Sequence, residues 1–89
     1  MEIRHLRSFL ALSEKGSLLA AAKKLGVTTS TVSRQTLGLE RELNVRLLVR
    51  KRGAIALTDA GRLMRSHAKN ILKYIGIASD AVRTAGKDV

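Results

Sequence analysis

Cysteine is absent from the 89-residue chain, which excludes disulfides, thiolate metal sites and thiol nucleophiles. A chain with no redox staple suits a reducing cytoplasm. Proline is absent too. The only aromatics are Phe9 and Tyr74, too few for the stacking platforms that grip single-stranded nucleic acid. The longest uninterrupted apolar run is LLAAA, Leu18 to Ala22, far short of a membrane span. The opening MEIRHLRSFLAL carries Glu2 and lacks both a long apolar stretch and a small-residue cleavage site. It reads as mature structure, not a signal peptide.

Catalytic groupings are missing as well. His5 and His67 are far apart in sequence, no His, Cys or carboxylate spacing forms a metal site, and both histidines read as helix-surface residues. Glu40 and Glu42 stand two apart on a helix and point in different directions, a poor acid/base pair. No Gly-rich phosphate loop occurs. The length suits one domain with a small core and no large enclosed cleft. Neither an enzyme nor a cofactor is expected.

Acidic residues are scarce: 7 Asp and Glu stand against 17 Lys and Arg, a net charge of +10. A balance that positive favours polyanionic partners, nucleic acid or an anionic membrane, and says nothing about fold. From Lys15 through Gln35 there are four basic residues and no acidic one. From Arg46 through Lys73 there are eight (Arg46, Arg50, Lys51, Arg52, Arg62, Arg65, Lys69, Lys73) against Asp59 alone.

Helical periodicity dominates what is present. Ile3, Leu6, Phe9, Leu10 and Ser13 fall on one face of a first helix that Gly16 stops. Ser17 is a good N-cap for LLAAAKKL, a second helix ended by Gly26. A third begins in TTSTVSRQT, with Thr29 or Ser30 as the expected N-cap. It carries Val32, Leu39 and Leu43 inward and ends near Asn44, which tolerates a left-handed C-cap. VRLLVRKRGAIALT then reads as a two-stranded hairpin turning at Gly53. Thr58 caps a long last helix with Asp59 in its first turn. Met64, Ala68, Ile71, Ile75, Ala78, Val82 and Ala85 follow alternating steps of four and three along it, a coiled-coil-like seam. The three short helices cannot cover that seam beyond about Ile75, so a partner chain is expected there.

LLAAAKKLGVTTSTVSRQTLGL has helix-turn-helix spacing. Ala22 is small where two helices must approach, Gly26 sits in the turn, Val32 anchors the third helix on the second, and Leu25 and Val27 flank the turn as core contacts. A helix before this unit and a basic hairpin plus helix after it describe a winged helix-turn-helix, whose second motif helix enters the DNA major groove. The expected fold is therefore mainly α: three helices plus a two-stranded wing over residues 1–57, followed by a long linker or dimerisation helix over 58–89.

The landmarks RHLRSF, Gly16-Ser17 before AA, VSRQ, LERELNVRLL followed by Arg50, and LTDAG make residues 1 to about 72 similar to the N-terminal DNA-binding domain of LysR-type transcriptional regulators. The remaining helix resembles that family's linker helix. The resemblance implies operator binding as a dimer, or as a tetramer in a full-length protein, in a bacterial cytoplasm on the nucleoid. It implies a small-molecule effector only through a C-terminal domain that this chain does not include, so the chain reads as an excised or freestanding portion. The sequence departs from the family at Thr29 (usually Gln), Ser30 (often Pro), Thr36 (commonly Ile) and Asn44 (usually Gly), and its wing reaches Arg52-Gly53 one residue early. These differences bear on base contacts and not on the fold.

The third helix is the expected recognition helix, with Thr29, Ser30, Thr31, Ser33 and Arg34 facing the groove. Hydroxyls bond phosphates or base edges, Thr methyls pack on thymine methyls, and Arg34 suits guanine O6/N7 or phosphate. Ser17 bonds a phosphate with help from the amides that open the second helix. Arg50, Lys51 and Arg52 reach the backbone or minor groove. Met64, Ala68, Ile71, Ile75, Ala78 and Val82 form the dimerisation seam over a dyad-symmetric operator in double-stranded DNA. Two alternatives stand beside this reading: a winged-helix protein-interaction module, and nonspecific nucleic-acid binding through charge alone.

Overall fold

Backbone hydrogen-bonding capacity decides where each helix starts. In the computed structural model, which describes residues 1–87, three helices open on a hydroxyl that accepts a first-turn amide. Ser17 Oγ takes the Ala20 N–H at 3.1 Å, Thr28 Oγ1 the Thr31 N–H at 3.1 Å, and Thr58 Oγ1 the Gly61 N–H at 3.0 Å. Left-handed residues close the first three helices: Gly16 at φ 73°, Gly26 at φ 69° and Asn44 at φ 55°. The chain thus runs α1 (Ile3–Lys15), α2 (Leu18–Leu25), α3 (Thr29–Leu43), β1 (Leu48–Lys51), β2 (Ala54–Leu57) and α4 (Asp59–Gly86). Positions 88 and 89, the end of the expected linker segment, lie outside the described residues.

This is the expected order of three helices, a wing and a long last helix. One boundary differs. Thr28, not Thr29 or Ser30, caps α3, because the Val32 N–H already reaches the Thr28 carbonyl at 3.2 Å and closes the first turn one residue early.

Helix α1 is the centre of the domain, packed by α2, α3, α4 and β2. It therefore buries a wide arc, Leu6, Phe9, Ala11 and Leu12 with Ser8, and not the narrower stripe that periodicity suggests. Ile3 is exposed, and Leu10 and Ser13 lie at the margin. Ser8 is satisfied by donating to Gln35 Oε1 of α3, and the buried Thr36 hydroxyl donates to the Val32 carbonyl at 2.9 Å. Ala21, Ala22, Val32 and Leu39 complete the helix-turn-helix core, while Leu47, Leu48, Met64 and Ala68 close it from the wing base and α4. Leu25 packs against this core but Val27 is exposed. Its N–H bonds the Ala22 carbonyl at 3.1 Å in the turn after Gly26, which leaves its side chain outward.

The wing pairs antiparallel from Leu48↔Leu57 to Lys51↔Ala54. Its two-residue loop holds both Arg52 (φ 50°) and Gly53 (φ 79°) in the left-handed region, the arrangement of a type I′ turn. A glycine adopts this freely; an arginine does so at a cost of roughly 1–2 kcal/mol. The base of the wing is tied more firmly. Thr58 N–H bonds the Leu47 carbonyl at 3.0 Å, and the Thr58 hydroxyl donates to the Arg46 carbonyl at 2.7 Å.

Helix α4 rises about 42 Å at 1.5 Å per residue, but only its first half meets the domain. Gly61, Met64 and Ala68 are buried, with Ile71 and Leu72 packed against the core, and beyond them the helix projects. No helix among the described residues is long and apolar enough to cross a membrane.

Candidate nucleic-acid interface

Because Val32, Thr36 and Leu39, four and three steps apart, turn inward together, Ser30, Arg34, Leu37 and Arg41 are left on the opposite face of α3. Thr29, Ser30, Ser33 and Arg34 line one open hollow there, together with Leu18 of α2 and Leu37 and Arg41 further along α3. Four of the five expected α3 residues therefore come together. Thr31 stands aside, its hydroxyl paired with that of Thr28 at 2.9 Å beside the cap. Leu37 and Arg41 are residues that sequence reasoning missed. The signal was present, since both continue the Ser30, Ser33, Arg34 face by steps of three and four. Leu37 is an exposed large apolar residue on an otherwise polar helix face.

Ser17 borders this surface at the start of α2. Its oxygen accepts the Ala20 amide, which leaves its O–H free to donate outward. The amides opening α2 add the positive end of the helix dipole at the same place. On the other side of α3 a groove runs to the wing, lined by Ser33, Leu37, Arg46, Val49, Arg50 and Ile55 among others. Arg50, Lys51 and Arg52 are all exposed around the wing tip. The Ile55 N–H bonds the Gly16 carbonyl at 3.4 Å, so the wing leans on the α1–α2 turn and joins the Ser17 end of the surface. The opening of α2, the exposed face of α3 and the wing thus form one continuous surface.

The electrostatics of that surface are one-sided. Among the described residues no ion pair within 4.0 Å engages Arg34, Arg41, Arg46, Arg50, Lys51 or Arg52. Glu40 lines the groove beside Arg46 and Arg50, but backbone amides engage its carboxylate. It accepts the Leu47 and Leu48 amides at 2.7 and 3.2 Å, and Glu42 pairs with the N-terminal ammonium at 3.0 Å. Among the described residues no group of three or more His, Cys, Asp or Glu could hold a metal. His5 lies on Gly38, and His67 is exposed on α4.

The expected seam on α4 divides. Met64 and Ala68 are buried in the chain's own core, Ile71 and Ile75 are partly covered, and Ala78 and Val82 are exposed, Val82 to 71%. One residue earlier runs a parallel series with the same steps, Leu63, His67, Asn70, Tyr74, Ile77 and Ala81, and every member is exposed. Its large members Leu63, Tyr74 and Ile77 are 63%, 70% and 52% accessible. An apolar hollow lined by Leu43, Val45, Leu47, Ala60, Leu63 and His67 lies beside its first turn.

A three-helix unit with an exposed polar second motif helix and a basic two-stranded wing is a winged helix-turn-helix. Residues 3–62 match the family model described as bacterial regulatory helix-turn-helix protein, lysR family. The HTH-type transcriptional regulator TcbR of Pseudomonas sp. (strain P51) is 40% identical over 87 residues, which cover 98% of this chain and 30% of TcbR. The chain spans 22–30% of the curated relatives it matches. Among solved structures, the DNA-binding domain of CbnR in complex with DNA is 41% identical at a TM-score of 0.91, over 97% of this chain and 99% of that one. The BenM DNA-binding domain on its benA site 1 DNA is 33% identical at a TM-score of 0.90, over 96% and 99%. The chain belongs to the lysR family of bacterial regulatory helix-turn-helix proteins.

Proposed function

We propose that this chain is the DNA-binding portion of a LysR-type transcriptional regulator and that it reads double-stranded DNA in sequence-specific fashion. The observation that carries this reading is the hollow on α3, where Thr29, Ser30, Ser33 and Arg34 share one exposed face beside unpaired cations. The likeness to the CbnR domain solved with DNA supports it. In this reading α3 enters the major groove by its N-terminal turns, and Arg34 forks onto a guanine or a phosphate. Ser17 and the α2 amides hold one backbone strand, and Arg50, Lys51 and Arg52 hold the next. Arg41 and Leu37 lie along the same face, Leu37 with the apolar surface suited to a thymine methyl.

Selection of bound duplexes from a random pool at physiological salt tests the reading. A dyad-symmetric sequence is expected to win. Arg34→Ala is expected to lose about 10- to 100-fold in affinity for it, with relaxed preference at one position. A pool with no enriched sequence would favour the protein-interaction or charge-only alternatives instead.

Dimerisation belongs to the same proposal. The exposed series from Leu63 through Ile77, with Ala78 and Val82 beyond, offers a second copy an apolar stripe, and the hollow beside Leu63 offers its end a seat. Ile77→Asp leaves the core untouched, so sedimentation should show the wild type associating with concentration and the variant monomeric. Identical behaviour of the two chains would remove α4 pairing from the account.

A further inference from the structure

We propose that Arg65, Lys69 and Lys73 of α4 form a second phosphate track, which holds the backbone of duplex DNA flanking the segment read by α3 and the wing. The inference rests on the DNA-binding reading above and extends it to a helix outside the winged unit's contact surface.

Arg62, Arg65, Ser66, Lys69 and Lys73 recur at steps of three and four, so they share one face of α4, next to the side that packs on α1 and away from Tyr74. Arg62, Arg65, Ser66 and Lys69 line a shallow polar hollow on that face. Arg62 has local partners: it pairs with Asp59 and donates to the Leu57 carbonyl at 3.3 Å, which fastens the ridge to the base of the wing. Its charge is largely satisfied there. The three cations beyond it are different. Among the described residues no carboxylate lies within 4.0 Å of Arg65, Lys69 or Lys73. Arg65 is half-buried, and its Nε is enclosed without a hydrogen-bond partner. The enclosed Nε is closed to an outside anion, so a phosphate would meet the rest of the guanidinium at the hollow that Arg65 lines.

The nearest acid reports the local sign of the field. Glu14 pairs with Lys24 at 3.1 Å, and that hydrogen bond is the main reason its carboxyl is held below the ordinary range. Lys69 and Arg65 lower it further, which places their charge near the last turn of α1 and Lys24 of α2. The ridge therefore runs from the base of the wing, where Arg62 is fastened, toward Glu14 of α1 and Lys24 of α2. Successive cations four residues apart on a helix lie about 6 Å apart along its axis, a pitch suited to phosphates on one strand. The face carries no apolar residue between Arg62 and Lys73, so it lacks both the anchor of a membrane-surface helix and the aromatic or aliphatic centre of a protein-binding hot spot.

The test is the triple variant Arg65→Gln/Lys69→Gln/Lys73→Gln of the whole chain, with circular dichroism as the folding control. Affinity is measured against salt on the selected duplex in two lengths, trimmed to the site and extended by about one helical turn on each side. On the extended duplex the variant's salt slope should be shallower by about 0.9 for each phosphate it no longer neutralises. Releasing two phosphates corresponds to about 30-fold weaker binding at 0.15 M salt, extrapolating that slope to 1 M. On the trimmed duplex, variant and wild type should bind alike, and sequence preference should be unchanged on both. Equal affinity on the extended duplex, or the same weakening at both lengths, overturns the track, as would a shift in sequence preference. A wild type with no sequence preference would instead sink the reading above, while the length comparison, run on a duplex of arbitrary sequence, still judges the track.

Discussion

Gly61→Ala will destabilise the domain by about 3 kcal/mol, even though alanine is intrinsically the better helix former by about 1 kcal/mol. A Cβ at position 61 would overlap the Leu47 carbonyl oxygen and stand 3.0 Å from its carbon and 3.2 Å from Leu57 Cδ2. The obstructing atoms are backbone, so no rotamer change can clear them. Nor is that carbonyl free to swing away. It accepts the Thr58 N–H at 3.0 Å, Thr58 also bonds the Arg46 carbonyl and the Gly61 amide, and the Leu47 side chain is buried. The methyl must push the start of α4 off the wing base and break this bracket. Urea or thermal unfolding measures the destabilisation. At about 4–8 °C per kcal/mol for a domain of this size, the melting temperature should fall by roughly 12–24 °C. A variant as stable as the wild type would mean that α4 docks more loosely than the close approach implies. The same substitution at Gly76, with open space around it, should behave oppositely and follow helix propensity alone.

Gly61 also shows what the sequence makes legible and what it hides. The motif LTDAG marks a helix start, and Thr58 does cap α4. The need for glycine at its third helical position comes from a carbonyl fourteen residues earlier, which no local pattern encodes. The TTST cluster behaves in the same way. Each of its hydroxyls is able to cap, and the choice of Thr28 follows from which carbonyl meets the Val32 amide. On α4 the steps of four and three are legible but their phase is not. Two parallel stripes one residue apart share that spacing, and packing against α1 takes Met64 and Ala68 from one and leaves Leu63 and His67 on the other outside. Periodicity measures spacing along a helix. It cannot tell which neighbour claims which stripe. The α3 face is readable because Val32 fixes its inward direction, which makes Thr29, Ser30, Ser33 and Arg34 the outward ones. Leu37 escapes such a reading because an apolar residue on a short helix is ordinarily core.

Glu40 reads from sequence only as half of a poor acid/base pair, yet its removal carries the other large expected effect. Its Oε2 accepts the amides of Leu47 and Leu48 at 2.7 and 3.2 Å, where the chain leaves α3 and enters β1. Both side chains at those amides are buried and the two hydrogen bonds are part-buried, so water replaces the carboxylate incompletely. Glu40→Ala leaves two part-buried donors without their acceptor, each costing about 1 kcal/mol, and a total destabilisation of about 2 kcal/mol is expected. Glu40→Gln keeps one oxygen as acceptor for both amides and gives up only the charge assistance, so about 1 kcal/mol is expected. Unfolding of both variants in urea separates a hydrogen-bonding role from mere packing: equal destabilisation by Ala and Gln would refute it. The position of the two amides adds a consequence for DNA. Glu40 sets the angle at which β1 departs from α3, and with it the distance from Arg50 at the wing to Arg34 on the helix. Glu40→Ala should therefore weaken duplex binding even at temperatures where it remains folded, whereas Glu40→Gln should bind as the wild type does.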